Sequence, residues 1–251
     1  MAHDLTIVAD AEALAREGAR RVRASIAEAV RARSRCMLAL SGGRTPRALY
    51  ESLAGPAPGG ADATPWARVE LFLADERHVP PDHPDSNYRM VREALLSRVG
   101  MPAAQVHRVR TEEFDATGAA VAYALDVARA FGLATRQWPR FDLVLLGMGS
   151  DGHTASLFPH EPALDEREHV AVATRVIKLQ TWRITLTYPV LNNAREVCVL
   201  VSGVVKAAAL QAVLEAPADP ERLPIQGVRP RQGILRWIVD EAAASRLTRI
   251  P

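Results

Sequence analysis

Apolar residues along this chain recur in two alternating rhythms. The stretch AEALAREGARRVRASIAEAVRAR carries them at helical spacing, with arginine and glutamate on the opposite face, and predicts an amphipathic helix. CMLAL follows, short, almost wholly apolar and ended by SGG, the pattern of a strand covered on both faces. TPRALYESLA then predicts a helix with Thr45 as N-cap and Pro46 at its first position. The pairing repeats. VELFLA predicts a strand that ends at Asp75, NYRMVREALLSRV a helix capped by Ser86, GAAVAYALDVARAFG a further helix, and FDLVLLG the most apolar strand of all. HVAVAT, RITLTY and EVCVLVSG complete the strands, the last leading into the helix VKAAALQAVLEA, and RWIVDEAAASRL closes the chain.

Strands alternating with helices predict an α/β protein, a Rossmann-like three-layer sandwich with a mostly parallel sheet. The sequence shows no internal repeat. The Pro/Gly-rich stretches at 57–65 and 216–224 are too short for linkers, so one domain over residues 1–251 is expected. In open parallel sheets, ligands bind outside the carboxyl ends of the strands. Four loops leave such ends: SGGRTP, ADERHVPPDHPDSN, GMGSDGHT and SGVVK. The distinctive polar residues are concentrated in them.

SGGRTP offers two glycines for close backbone approach and the amides of the helix behind it, a natural seat for phosphate. It is not a P-loop, because G-x-x-x-x-G-K-[ST] is absent. In the second loop, Asp75 leaves its strand toward the crevice and Arg77 supplies a cation. Asp82, His83 and Asp85 sit among prolines without neighbouring ligands, so turn and cap roles are expected there and no metal site.

GMGSDGHTASLFP has the G-x-G-x-x-G spacing of a dinucleotide turn at Gly147, Gly149 and Gly152. That fingerprint needs a long helix behind it and an acid at the end of the next strand. Pro159 curtails any helix, and Glu166 and Glu168 precede the next strand. A nucleophile elbow fails too, since Met148 stands where G-x-S-x-G requires glycine. What remains is a glycine-lined exit that places His153 at the start of a short helix, whose dipole favours a neutral imidazole. His153 is there either a general base or a cap for the backbone. Arg183 and Lys206 are ordinary cations taken singly, but lysine opposes the dipole at a helix start, which a bound phosphate would explain. His78, His107, His160 and His169 are expected as surface or loop residues.

Composition narrows the function classes. The formal charge is +2, which gives no whole-molecule argument for nucleic acid. Apolar runs are strand-sized and fall short of a membrane span. Early acidic residues exclude a secretory signal, so the cytoplasm is expected. Cys36 and Cys198 each sit in an apolar run and are expected as buried thiols.

In this order, LALSGGRTPRALYESLA, LFLADERHVPPDHPDSNYRMVREALL, FDLVLLGMGSDGHTASLFP and RITLTYPVLNNAREVCVLVSGVVKAAAL resemble the 6-phosphogluconolactonase family, as does the tail with Pro230, Gly233 and Trp237. The resemblance spans nearly the whole chain. The related glucosamine-6-phosphate deaminases share the SGG-type loop and D-G-H, but typically continue I-A-F-N-E-P where this chain has TASLFP. Departures from the lactonases themselves are His160 after LFP, Trp182 before Arg183, and IQGVRP.

The resemblance implies the fold shared by that deaminase and ribose-5-phosphate isomerase. It also implies hydrolysis of 6-phospho-D-glucono-1,5-lactone without a cofactor, by a protein that is a monomer or weak homodimer. A sugar-phosphate deaminase or isomerase is the alternative, and a non-catalytic sugar-phosphate sensor a third reading. For the lactonase, Ser41, Gly42, Gly43 and Thr45 are expected to bind phosphate, with Arg183 and Lys206 as counter-charges and Arg44 as a weaker substrate-binding candidate whose side chain faces solvent. His153 activates water. Arg77 or amides of the Gly147–Gly152 loop, Gly149 among them, take the oxyanion, and Asp75 or Asp151 orients the imidazole or holds sugar hydroxyls.

Overall fold

The computed structural model describes residues 4–56 and 64–248. Its elements run β1 (Asp4–Val8), α1 (Ala11–Arg33), β2 (Cys36–Leu40), α2 (Arg44–Ala54), β3 (Val69–Leu73), β4 (Asp75–Arg77), α3 (Asn87–Ala94) and β5 (Val106–His107). Then come α4 (Ala116–Phe131), β6 (Leu143–Gly147), β7 (Ala171–Val176), β8 (Thr181–Leu186), α5 (Tyr188–Leu191), β9 (Glu196–Val201), α6 (Ala207–Glu215), β10 (Ile234–Asp240) and α7 (Glu241–Ala244). Seven strands form one parallel sheet in the order β1-β10-β9-β6-β2-β3-β5.

The apolar runs are explained by burial on both faces. In β2, Cys36, Leu38 and Leu40 point into the core under α1, α2 and α3, whereas Met37 and Ala39 point into the opposite core under α4 and α6. β6 divides in the same way, with Leu143 and Leu145 on one side and Val144 and Leu146 on the other. Each such aliphatic side chain contributes about 1.5–3 kcal/mol by leaving water. Cys36 and Cys198 are free and buried, as expected, and burial pushes both thiols up. Among the described residues, no helix is long and apolar enough to cross a membrane.

Several expectations need correction. HVAVAT and RITLTY do not join the parallel sheet. They form an antiparallel three-stranded sheet, β4-β8-β7, with the first residues of the ADERHV loop as its edge. The chain changes sheets at Ala74, whose N–H bonds Leu40 at 2.8 Å and whose carbonyl accepts from Leu186 at 2.9 Å. α2 begins two residues early, with Gly43 as N-cap in place of Thr45. No helix follows His153; an isolated bridge between Thr154 and Leu157 closes a tight turn instead. β1 and β5 were not evident in the pattern, and β5 contains His107. That imidazole is no loose surface group. It lies between Glu70 (3.0 Å) and Asp126 (2.9 Å) and stacks on Phe72. The stretch 57–65 falls almost wholly outside the described residues.

Chain order fixes the ligand edge. From β2 the chain moves outward to β3 and β5, then returns to place β6 on the other side of β2. The topological switch point is therefore between β2 and β6, whose exits carry SGGRTP and GMGSDGHT. Asp142 sets these strands side by side. Its carboxylate accepts from Met37 N–H at 2.8 Å and from Arg33 Nε at 2.8 Å, and it is 7% exposed. Asp142→Ala strands a buried amide and should lower unfolding free energy by about 2–3 kcal/mol, measured in urea. An unchanged midpoint would refute that role.

Candidate active site

Every residue singled out from the sequence for the site lines one crevice of 390 Å³ at the switch point: Ser41 to Thr45, Asp75 and Arg77, Gly149, Asp151 and His153, Arg183 and Lys206. A larger hollow of 630 Å³, walled by Val213, Leu214, Ile225 and Trp237 among others, contains none of them.

The SGG loop has the features of an anion seat. Gly43 adopts φ +110°, a conformation that favours glycine, and caps α2 without any side-chain bond to the helix amides. Those first amides therefore keep their hydrogen-bonding capacity for a ligand. Ser41 is 3% exposed, and its Oγ has no partner among the described residues. Arg44 is exposed yet lines the crevice, so the solvent-facing expectation holds only in part. Lys206, before α6, donates to the Met148 carbonyl. Burial first, and then nearby Arg44, lower its pKa, both of which a bound anion would relieve. Asp240 fixes this loop by accepting from Ser202 Oγ and Gly203 N–H.

The Gly147–Pro159 loop presents the imidazole. His153 Nδ1 lies 2.6 Å from Asp151 Oδ1. Burial alone would raise the Asp151 pKa, but hydrogen bonds from His153 and Lys178 outweigh it and hold the carboxyl well below the usual carboxylate range. An ionised carboxylate only accepts, so Nδ1 carries a proton, and in the neutral ring the lone pair is on Nε2. Nε2 makes no hydrogen bond to the described residues. The helix expected to act on this imidazole is absent, and a carboxylate two residues away instead fixes which ring nitrogen carries the proton. Phe158 stacks on the ring at 4.3 Å and 23°. Gly149 is needed for close approach, because a Cβ there would lie 2.1 Å from His153 Nδ1.

The acidic loop separates the roles of the two aspartates. Asp75 does not reach the imidazole. Its carboxylate accepts from Ser156 Oγ at 2.7 Å and from Asn87 Nδ2 at 3.2 Å. Arg77 donates to the Asp85 carbonyl, while its Nε has no partner among the described residues. It stands directly across from Arg183 in the β4–β8 pairing. Burial, and then Arg77, lower the Arg183 pKa. Arg183 and Lys206, expected to act together, feel different neighbours: Arg77 for the first, Arg44 for the second.

Asn87, Ser156, Phe158 and Lys178 were missed. The first was taken for a helix residue, and the next two lay in the tail of the histidine motif. Lys178 sits in the turn between β7 and β8, outside the four loops expected to line the crevice. His83 does serve the turn, its Nδ1 accepting from Asp85 N–H at 3.1 Å.

An anion seat facing a carboxylate-oriented imidazole at the switch point of a parallel sheet defines a small-molecule enzyme of the phosphosugar type. The chain belongs to the family of glucosamine-6-phosphate isomerases/6-phosphogluconolactonase, whose model matches residues 9–237. It is 42% identical to a 6-phosphogluconolactonase of Synechocystis sp. over 88% of this chain and 89% of the other. It is 44% identical to the human 6-phosphogluconolactonase, covering 86% and 83%. Among solved structures, 6-phosphogluconolactonase from Trypanosoma cruzi superposes with a TM-score of 0.85 at 28% identity, covering 99% of each chain.

Gly42 offers a test of the seat. A Cβ there would fall 1.8 Å from Asn87 Oδ1. Gly42→Ala should displace the loop and raise KM for the phosphorylated substrate about tenfold or more, with kcat affected less. An unchanged KM in steady-state kinetics would show that this loop does not hold the phosphate.

Proposed function

We infer that this chain is a hydrolase that opens 6-phospho-D-glucono-1,5-lactone to 6-phosphogluconate, the second step of the oxidative pentose phosphate pathway. The observation that carries the reading is the Asp151–His153 pair, with Nε2 free, in the same crevice as the uncapped start of α2. The curated relatives named above support the same reaction. The deaminase alternative is not favoured: the turn after His153 runs through Thr154, Ala155, Ser156 and Leu157 and carries no carboxylate.

In our reading the phosphate caps α2, held by amides of the Gly42–Thr45 segment, the Ser41 and Thr45 hydroxyls, and the charges of Lys206 and Arg44. Fixing that end converts the attack on C1 into a reaction of a positioned substrate. His153 Nε2 takes a proton from water as its oxygen adds to the carbonyl, and Asp151 stabilises the resulting imidazolium. The developing oxyanion needs a donor. Gly149 and Gly152 have spent their amides on His153 and Gly149 carbonyls, whereas Arg77 Nε is unspent, which favours Arg77 with Arg183 beside it. Asp75, tied to Ser156 and Asn87, is suited to accept from a sugar hydroxyl. The lactone is an activated ester, so no covalent nucleophile, metal or cofactor is required. We place the whole reaction on one α/β domain, acting in the cytoplasm as a monomer or weak homodimer.

His153→Ala should lower kcat by about 10²–10⁴ while far-ultraviolet circular dichroism stays native. Near-wild-type turnover would remove His153 from the mechanism. Lys206→Ala should act chiefly on KM, by about tenfold or more. Equal kcat/KM for mutant and wild type would refute the phosphate assignment. Freshly made lactone and glucosamine 6-phosphate should be assayed in parallel. Ammonia release from the second without hydrolysis of the first would reverse the choice of reaction.

A further inference from the structure

Five cations line the crevice, and they are not alike. Among the described residues, Arg44, Arg77, Arg183 and Lys206 have no carboxylate in ion-pair contact, whereas Lys178 is paired with Asp151. The four unpaired groups are available to an anionic substrate. Lys178 is already committed.

Its commitment closes a ring of contacts around the base. Asp151 gives Oδ1 to His153 Nδ1 and Oδ2 to Lys178 Nζ. Lys178 Nζ also lies 4.7 Å from the centre of the Phe158 ring, which stacks on the His153 imidazole. Lys178, Asp151, His153 and Phe158 therefore each touch two of the others. Packing of the turn does not account for this placement. Lys178 lies in the turn Ile177–Leu179 between β7 and β8, where Ile177 is 74% and Leu179 45% exposed. The turn buries little of its own apolar surface, and its charged side chain is what reaches inward.

We propose that Lys178 is a positioning residue for lactone hydrolysis, which holds and partly neutralises the carboxylate that orients His153. The proposal rests on reading His153 as the general base. A carboxylate bound on one oxygen only can rotate away from the imidazole, and its undivided charge stabilises imidazolium more strongly. With Lys178 in place, Asp151 stays aligned and the imidazole returns more readily to the neutral form needed for the next water. The other charged groups facing the crevice are Asp75, Arg77 and Arg183 on the side of the small sheet, Arg44 at α2 and Lys206 before α6. None of them touches the imidazole or Asp151.

The test is Lys178→Met, which keeps the stem over Phe158 and removes the charge. The expected result is a kcat about tenfold lower and a KM within about twofold of wild type. The acid limb of the kcat/KM profile should move to higher pH by about half a unit to one unit. Lys178→Arg, which retains the charge, should bring the limb back, whether or not Lys178→Met also lowers thermal stability. A KM that rises more than kcat falls, with an unmoved acid limb, would make Lys178 a substrate ligand and overturn the proposal. So would a variant with unaltered kcat and profile. Wild-type protein that fails to hydrolyse the lactone would instead refute the assigned reaction, so the two failures are distinguishable.

Discussion

The structure depends on one constraint: two adjacent parallel strands, β2 and β6, must end at the same edge with chain leaving in opposite directions. Parallel pairing puts both carboxyl ends together, and the reversal of strand order opens a crevice between the departing loops. One loop then delivers helix amides and the other delivers an imidazole. The two are about a hundred residues apart in the chain, so neither has a function without the sheet. Asp142 belongs to this constraint although it lies at the far end of the strands, because it fixes β6 against β2.

The crevice is electrostatically unfinished in a way that suits its ligand. Arginines directly opposite each other on β4 and β8 repel, a lysine is half-buried without a carboxylate, and a serine hydroxyl is buried without a partner. Each costs stability in the free protein. In the proposed reaction, a phosphate with charge near −2 at one end and an oxyanion forming at the other would offset these costs. Asp75 and Asp151, the two carboxylates in the crevice, are both held by neighbours, Asp75 by neutral donors and Asp151 by a lysine whose charge offsets its own.

Much of this was legible in the chain because the relevant signals are local. An apolar run such as FDLVLLG needs both faces covered, and glycines behind a strand announce a tight exit, so the parallel sheet and its four loops followed directly. The small sheet was not legible. HVAVAT and RITLTY look like any half-buried strand, and nothing in three residues of DER signals that they form an edge beside Arg183. The start of α2 was misplaced because Thr45 is a good N-cap by type, whereas the positive φ of Gly43 decides the matter through backbone geometry. His153 was found for a partly wrong reason. Its tautomer is set by Asp151 and no helix starts there, and the partner of Asp151 is a lysine brought in by a strand connection with no motif of its own.

The central claim is spatial: the anionic tail of the substrate is held at α2 while its reacting carbon stands before His153. A crystal structure with 6-phosphogluconate bound would measure this directly. The phosphate should rest on the amides of residues 42–45 near Lys206, with C1 about 3–4 Å from His153 Nε2. A phosphate seated instead between Arg77 and Arg183, with C1 out of reach of the imidazole, would contradict it.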